Sequence, residues 1–160
     1  MSRPAETRLL DLWRRLSPLP GGRWLFSRLL GRIVPYSGTV RPQVRELEPG
    51  RSVVQLKDRR AVRQHLGSVH AVALCNVGEL SSGLAMMAGL SPSVRGIVTR
   101  IEIEFFKKAR GLLTATSEAR APDHVTGPID HPVVADIQDE AGDTVARVTV
   151  HWRLAPRTPA

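Results

Sequence analysis

The sequence predicts an α+β domain in which an antiparallel sheet curls around one long apolar helix, preceded by a basic helical arm. Three observations carry this reading. Residues 69–88 contain no lysine or arginine and are apolar on nearly every side, which marks a helix buried all round. The segments before and after it alternate with a period of two, as strands do. Residues 5–32 instead repeat their apolar positions at helical spacing among many arginines.

At 160 residues, with 42% hydrophobic and 24% charged content, the chain is long enough to bury one core without staples. Its single cysteine, Cys75, precludes an intramolecular disulfide and suits a reducing compartment. The net charge is +8, and the first 35 residues hold seven arginines against Glu6 and Asp11, which is +5, leaving +3 for the other 125. Such a surface favours anionic partners: nucleic acid, acidic lipid, or a phosphate-rich ligand such as coenzyme A. Nucleic acid is disfavoured, because no helix-turn-helix, zinc or RNA-binding signature is present. Arginines interrupt every apolar stretch near the N-terminus, so no secretory signal is read. No run reaches the ~18–20 apolar residues that span a bilayer. A cytoplasmic protein is expected, with at most weak membrane-surface contact through the arm. Its five histidines show no ligand spacing, so no metal is expected.

Each element can be justified in order. Residues 1–36 form the arm and 37–156 the domain proper, together one structural unit. Leu9, Leu12, Trp13 and Leu16 make a helix over 5–16, broken by Pro18, Pro20, Gly21 and Gly22. Leu25, Phe26, Leu29 and Leu30 make a second helix over 22–32, with Pro35 as its stop. Four of the seven aromatics (Trp13, Trp24, Phe26 and Tyr36) fall in this arm, which is therefore built to dock on something apolar. Residues 39–47 and 51–57 form a hairpin around Pro49-Gly50. A charged loop, 58–68, leads into the helix 69–88. Strand 96–107 then turns at Arg110-Gly111 into a hairpin partner, 111–119. After a loop at Pro122, Gly127 and Pro128, residues 131–138 and 144–154 form the last hairpin. In its second strand Ala146, Val148, Val150, Trp152 and Leu154 share one face.

The stretch Gln64-His65-Leu66-Gly67-Ser68-Val69-His70-Ala71-Val72 opens the long helix, which continues with Asn76, Gly78, Glu79 and Gly83. It resembles hotdog thioesterases of the phenylacetate-pathway type, whose pattern is Asn-x-x-Gly-x-x-His-Gly-Gly with an acid nine residues after the histidine. Gly67, His70 and Glu79 match that pattern; Gln64 replaces the asparagine, and Ala71 and Val72 replace the glycine pair. A closer resemblance is to the DUF4442 branch of the same superfamily. It rests on Val34-Pro35-Tyr36, on His65 to Ala71, and on Lys107-Lys108-Ala109-Arg110-Gly111, and covers about residues 5–155. The resemblance implies the hotdog fold, with a curved antiparallel sheet around one central helix. It also implies an acyl-thioester hydrolase working on acyl-CoA or an acyl-carrier protein, with coenzyme A as part of the substrate and no separate cofactor. Homodimers or dimers of dimers are implied as well, the loop and the acid of each site coming from different subunits.

The chemistry can be argued from the residues themselves. A helix N-terminus near Val69–Ala71 points free N–H groups outward and would polarise a thioester carbonyl. Glu79 in an apolar setting would be weakly solvated, with a raised pKa, and could act as general base or nucleophile. The catalytic candidates are thus Glu79, His70, Gln64 and Asn76. The substrate-binding candidates are His65, Gly67, Ser68, Val69, Ala71 and Ser82, with Lys107, Lys108 and Arg110 as a clamp for phosphates. Plainer readings stand beside these. Glu79 could pair across a dimer, His70 could cap the helix, His65 could bond within the loop, and the cationic cluster could be a solvated tip. Cys75 reads as a small core residue, and Met86 and Met87 as core or acyl-tunnel lining. The arm packs on the sheet, covers the acyl pocket, or rests on anionic membrane. Two other functions compete with hydrolysis. One is a non-catalytic binder of acyl-CoA or acyl carriers, suggested by Val72 where a glycine would let the thioester approach. The other is a hydroxyacyl-thioester dehydratase, whose His-Phe-Pro-Gly loop is absent.

Overall fold

The apolar spacing of the arm produces the two expected helices, α1 (Ala5–Leu16) and α2 (Gly22–Ile33), in a computed structural model that describes residues 5–122 and 124–157. A third helix follows at once, α3 (Pro35–Val40). Pro35 was expected to be a stop and a strand was expected from Thr39. Instead Pro35 opens a new helix, at a position where its missing N–H costs nothing and its fixed φ suits the first turn. The remaining elements are β1 (Gln43–Glu48), β2 (Arg51–Lys57), a 3-10 turn (Arg60–Val62), α4 (Ala71–Gly89), β3 (Val94–Phe105), β4 (Leu112–Glu118), β5 (Ile129–Gln138) and β6 (Thr144–Pro156).

The six strands form one antiparallel sheet in the order β1-β2-β4-β5-β6-β3. The hairpins β1–β2 and β5–β6 are as expected. The expected pairing of β3 with β4 does not occur: β3 pairs with β6 and stands at the sheet's edge, while β4 lies between β2 and β5. The reason lies in residues 106–111, which are captured by other elements and make no tight turn. Phe106 donates its N–H to Val145 (2.9 Å), Ala109 accepts from Val69 (2.9 Å), and Asp58 accepts from Gly111 (3.3 Å).

Helix α4 lies in the concave face of this sheet, with Val77, Ala85 and Met86 fully buried against strands whose inward residues include Leu113, Ile137 and Val148. This is the hotdog arrangement. It is long and apolar enough to cross a membrane by length and composition, yet most of it is buried as the core helix. The approach of α4 to β6 is so close that a Cβ at Gly78 would overlap Val148. The arm belongs to the same core. Trp13 and Phe26 meet edge to face, 5.0 Å apart at 75°, and are buried with Leu30 among the core residues.

Edge strand β3 departs from the expected alternation. Only part of it is covered: Val94 is buried and Val98 and Ile103 pack against the core, while Ile97, Ile101 and Phe105 stay exposed, at 67%, 39% and 52%.

Candidate active site

The loop before α4 is folded on itself. Arg63 and Val69 bridge as a short antiparallel pair, and between them Gln64 and Ser68 are tied twice. The Gln64 N–H donates to the Ser68 carbonyl (2.9 Å), and Gln64 Nε2 donates to Ser68 Oγ (2.8 Å). Gly67, at φ +71°, occupies the left-handed region where a side chain would be strained. The loop is anchored from below by Asp58. Its carboxylate accepts from Arg63 Nε (2.6 Å) and Nη2 (3.2 Å) and from the Gly111 N–H. The Arg63 guanidinium holds that carboxyl below its usual range. Asp58 was missed in the sequence, where nothing distinguishes it within Lys57-Asp58-Arg59-Arg60.

His70 takes the plainer of its two readings. Its Nδ1 accepts from the Val72 N–H (3.1 Å), so it caps the helix, while its backbone N–H donates to the Val62 carbonyl (2.8 Å). Ala73 and Leu74 both donate to the His70 carbonyl. The helix start therefore keeps one uncommitted donor, the exposed Ala71 N–H, as no described residue accepts from it. Gln64, Ser68, Val69 and Ala71 share a hollow of about 430 Å3 with Phe105 and Lys108. His65 is exposed in the loop.

The cationic cluster is dispersed. Lys107 Nζ pairs with Asp139 (2.7 Å) and Asp143 (2.5 Å), and both partners raise its pKa. Arg110 donates to the Gly67 carbonyl (3.2 Å). Lys107 is thus spent on the β5–β6 turn, and only Lys108 lines the hollow without an ion pair to a described residue.

Glu79 is the sole charged residue of α4. It is half-buried on the wall of a mostly apolar cavity of about 410 Å3 between α1, α2 and α4, with Leu9, Leu12, Leu30, Leu84 and Met87 around it and Arg8 on the same lining. Among the described residues nothing hydrogen-bonds or ion-pairs with its carboxylate, and burial pushes its pKa up. Cys75, one turn earlier, is raised by burial first and by the Glu79 charge second. Met87 lines the cavity, whereas Met86 is plain core.

Two expected site residues face elsewhere. Asn76 is buried and donates from Nδ2 to Ser37 Oγ (3.0 Å), tying α4 to α3. Ser82 is fully buried and donates to the Glu79 backbone carbonyl (2.9 Å), not to its carboxylate. Neither orients the acid. Nor do the loop and the acid meet within one chain. Ala71 and Glu79 are eight residues apart, roughly 12 Å along the helix axis, and no residue lines both of their cavities.

Residues 22–154 match the family model of DUF4442, a domain of unknown function. Among solved structures, genomics APC5556 is 30% identical with a TM-score of 0.76, over 95% of this chain and 99% of that one. PA5026 from Pseudomonas aeruginosa, a protein of unknown function described as a probable thioesterase, is 20% identical with a TM-score of 0.74, over 87% and 97%. The thioesterase SAV0944 from Staphylococcus aureus, solved with a glutamine replaced by alanine, is 16% identical with a TM-score of 0.66, over 76% and 99%; a second variant replaces a glutamate. No curated protein matches the chain.

Proposed function

The chain belongs to the DUF4442 family, and from that premise we propose that it hydrolyses an acyl thioester at a site built by two copies of itself. The setting of Glu79 carries this reading: a carboxylate with a raised pKa and no hydrogen-bond or ion-pair partner among the described residues, at the wall of a mostly apolar cavity that Arg8 also lines. A structural acid would have a partner, whereas an acid kept weakly solvated is a stronger base. The neighbour PA5026 is called a probable thioesterase and SAV0944 a thioesterase. The glutamine and glutamate replaced in SAV0944 are fifteen residues apart, the separation of Gln64 and Glu79 here.

The reaction balances with groups on the chain. Glu79 takes a proton from water while the water oxygen bonds to the thioester carbon. The carbonyl electron pair moves to oxygen, where the Ala71 N–H at a helix N-terminus stabilises it. Collapse breaks the C–S bond, and the thiolate takes the proton back from Glu79. Products are a carboxylic acid and a thiol. A carbonyl, the attacking water and a hydrogen bond at each end span roughly 9 Å, which is shorter than the axial distance of roughly 12 Å from Ala71 to Glu79 in one chain. The second copy supplies the nearer loop. The surface left open in a single chain supports this: edge strand β3 with Ile101 and Phe105, and Val72 of α4, which is 50% exposed. The free thiol of Cys75 suits the cytoplasm.

Release of free thiol from a panel of acyl-CoAs and acyl-carrier proteins, run beside Glu79→Gln, tests the proposal. Turnover on some member that disappears in the variant supports it. Turnover that persists in a folded Glu79→Gln protein sinks it, and acyl-thioester binding without any turnover favours the non-catalytic reading.

A further inference from the structure

A third and larger hollow, of about 860 Å3, lies between α2, α3 and the stretch before the 3-10 turn. Among the described residues, four arginines line it (Arg28, Arg32, Arg41 and Arg59), and no aspartate or glutamate does. Arg28, Arg32 and Arg41 have no ion pair with a described residue. Four guanidinium groups around one cavity repel one another, and the arrangement is relieved by a multiply charged anion.

Two features show side chains placed for such a ligand. Arg59 Nη2 donates to the Thr39 and Val40 carbonyls, at 2.8 and 2.7 Å, which fixes the guanidinium and leaves its Nε and Nη1 donors uncommitted. Arg41 sits at φ +57°, in the left-handed backbone region where glycine is relaxed and a longer residue is strained. An arginine there costs stability that glycine would not. At the rim, Trp24 is 57% exposed, with the Arg28 guanidinium 5.9 Å from its ring centroid. This is a stacking surface for a planar base. Leu30 and Leu80 line both this hollow and the cavity of Glu79, so the two are neighbours that share a wall.

We infer that this arginine-lined groove holds the phosphate-bearing nucleotide end of a coenzyme A thioester, whose acyl chain enters the apolar cavity beside Glu79. The inference rests on the thioesterase reading for its orientation, and it makes the arm one wall of the substrate site. It also moves the phosphate clamp away from Lys107, which is already paired.

The test is titration of the full chain with adenosine 3′,5′-bisphosphate, followed by calorimetry and by Trp24 fluorescence. It is run beside the double variant Arg32→Ala/Arg41→Gly and a surface control, Arg14→Ala/Arg15→Ala. Binding that weakens at least tenfold in the first variant and not in the control supports the groove. The melting temperature of Arg41→Gly should hold or rise, which separates lost ligand contact from lost folding. Thioesters of N-acetylcysteamine, which lack the nucleotide, should be hydrolysed equally by both proteins. Bisphosphate affinity that is absent, or unchanged in the variant, overturns the inference. So does arginine-dependent flotation with phosphatidylserine vesicles in a protein that ignores the bisphosphate, which would assign the groove to a lipid surface. Arginine-dependent bisphosphate binding with no hydrolysis of any thioester would sink the hydrolase reading and leave this groove standing.

Discussion

Asp58 anchors the loop before α4 and Glu79 lies in the middle of that helix, and their surroundings push the two carboxylates in opposite directions. Burial raises Glu79 above its ordinary value. The folded state therefore prefers the protonated form. Stability is greatest below the unfolded-state pKa and declines as pH rises through the folded one. Glu79→Gln removes that cost, so at about pH 7 the variant should melt higher than the parent, and the gap should close as pH falls below the ordinary glutamate range. Scanning calorimetry across pH measures this. A variant that melts lower at neutral pH would reveal a cationic partner for Glu79, either Arg8 on the same cavity or a group across a dimer. The same shift predicts that kcat/KM rises with pH through a pKa above the usual carboxylate range. Asp58 is lowered, by Arg63 first. Its contribution is present above the ordinary aspartate value and is lost as pH falls through the folded pKa, so acid should loosen the Gln64–Ser68 loop before the sheet.

At the scale of elements, α4 carries two positions where a small change isolates one property. Ala71 is the first helical residue, and His70 before it is already extended, at φ −67° and ψ 141°, as a residue preceding proline prefers. Ala71→Pro should therefore preserve the helix and delete only the uncommitted N–H. A fall in kcat of about a hundredfold, with KM little changed, is the expected result in steady-state kinetics. Unchanged kcat would remove Ala71 from the site. Gly78→Ala meets Val148 and should cost about 1–3 kcal/mol in chemical denaturation, as overpacking does. The sequence made α4 legible because burial on all sides leaves a compositional trace. It made β3 and β4 look like a hairpin, because Arg110-Gly111 serves a crossover as readily as a tight turn. Pro35 was ambiguous for a similar reason, being as good at starting a helix as at ending one. Asn76 and Ser82 were misplaced because helical phase tells which residues share a face, not which neighbour covers it; here α3 covers Asn76. The groove arginines come from α2, the end of α3 and the stretch after β2, and only folding gathers them.

At the scale of the molecule, the proposed two-copy site makes a prediction a single-chain enzyme could not share, because the loop and Glu79 line separate cavities of one chain. Glu79→Gln lacks the base, and Ala71→Pro lacks the carbonyl donor; each should be nearly inactive alone. In a symmetric dimer whose sites each combine Glu79 of one copy with Ala71 of the other, a mixed pair contains one site with both defects and one with neither. If the two variants are unfolded together and refolded in equal amounts, half the dimers are mixed, and activity should return to about a quarter of the parent's. Sedimentation measures the dimer fraction in the same sample. Recovery near that value would establish that the loop and the acid serve each other across the interface. No recovery, in a sample that sediments as dimers, would confine each site to one chain and require α1 or α2 to supply the missing donor to the cavity of Glu79.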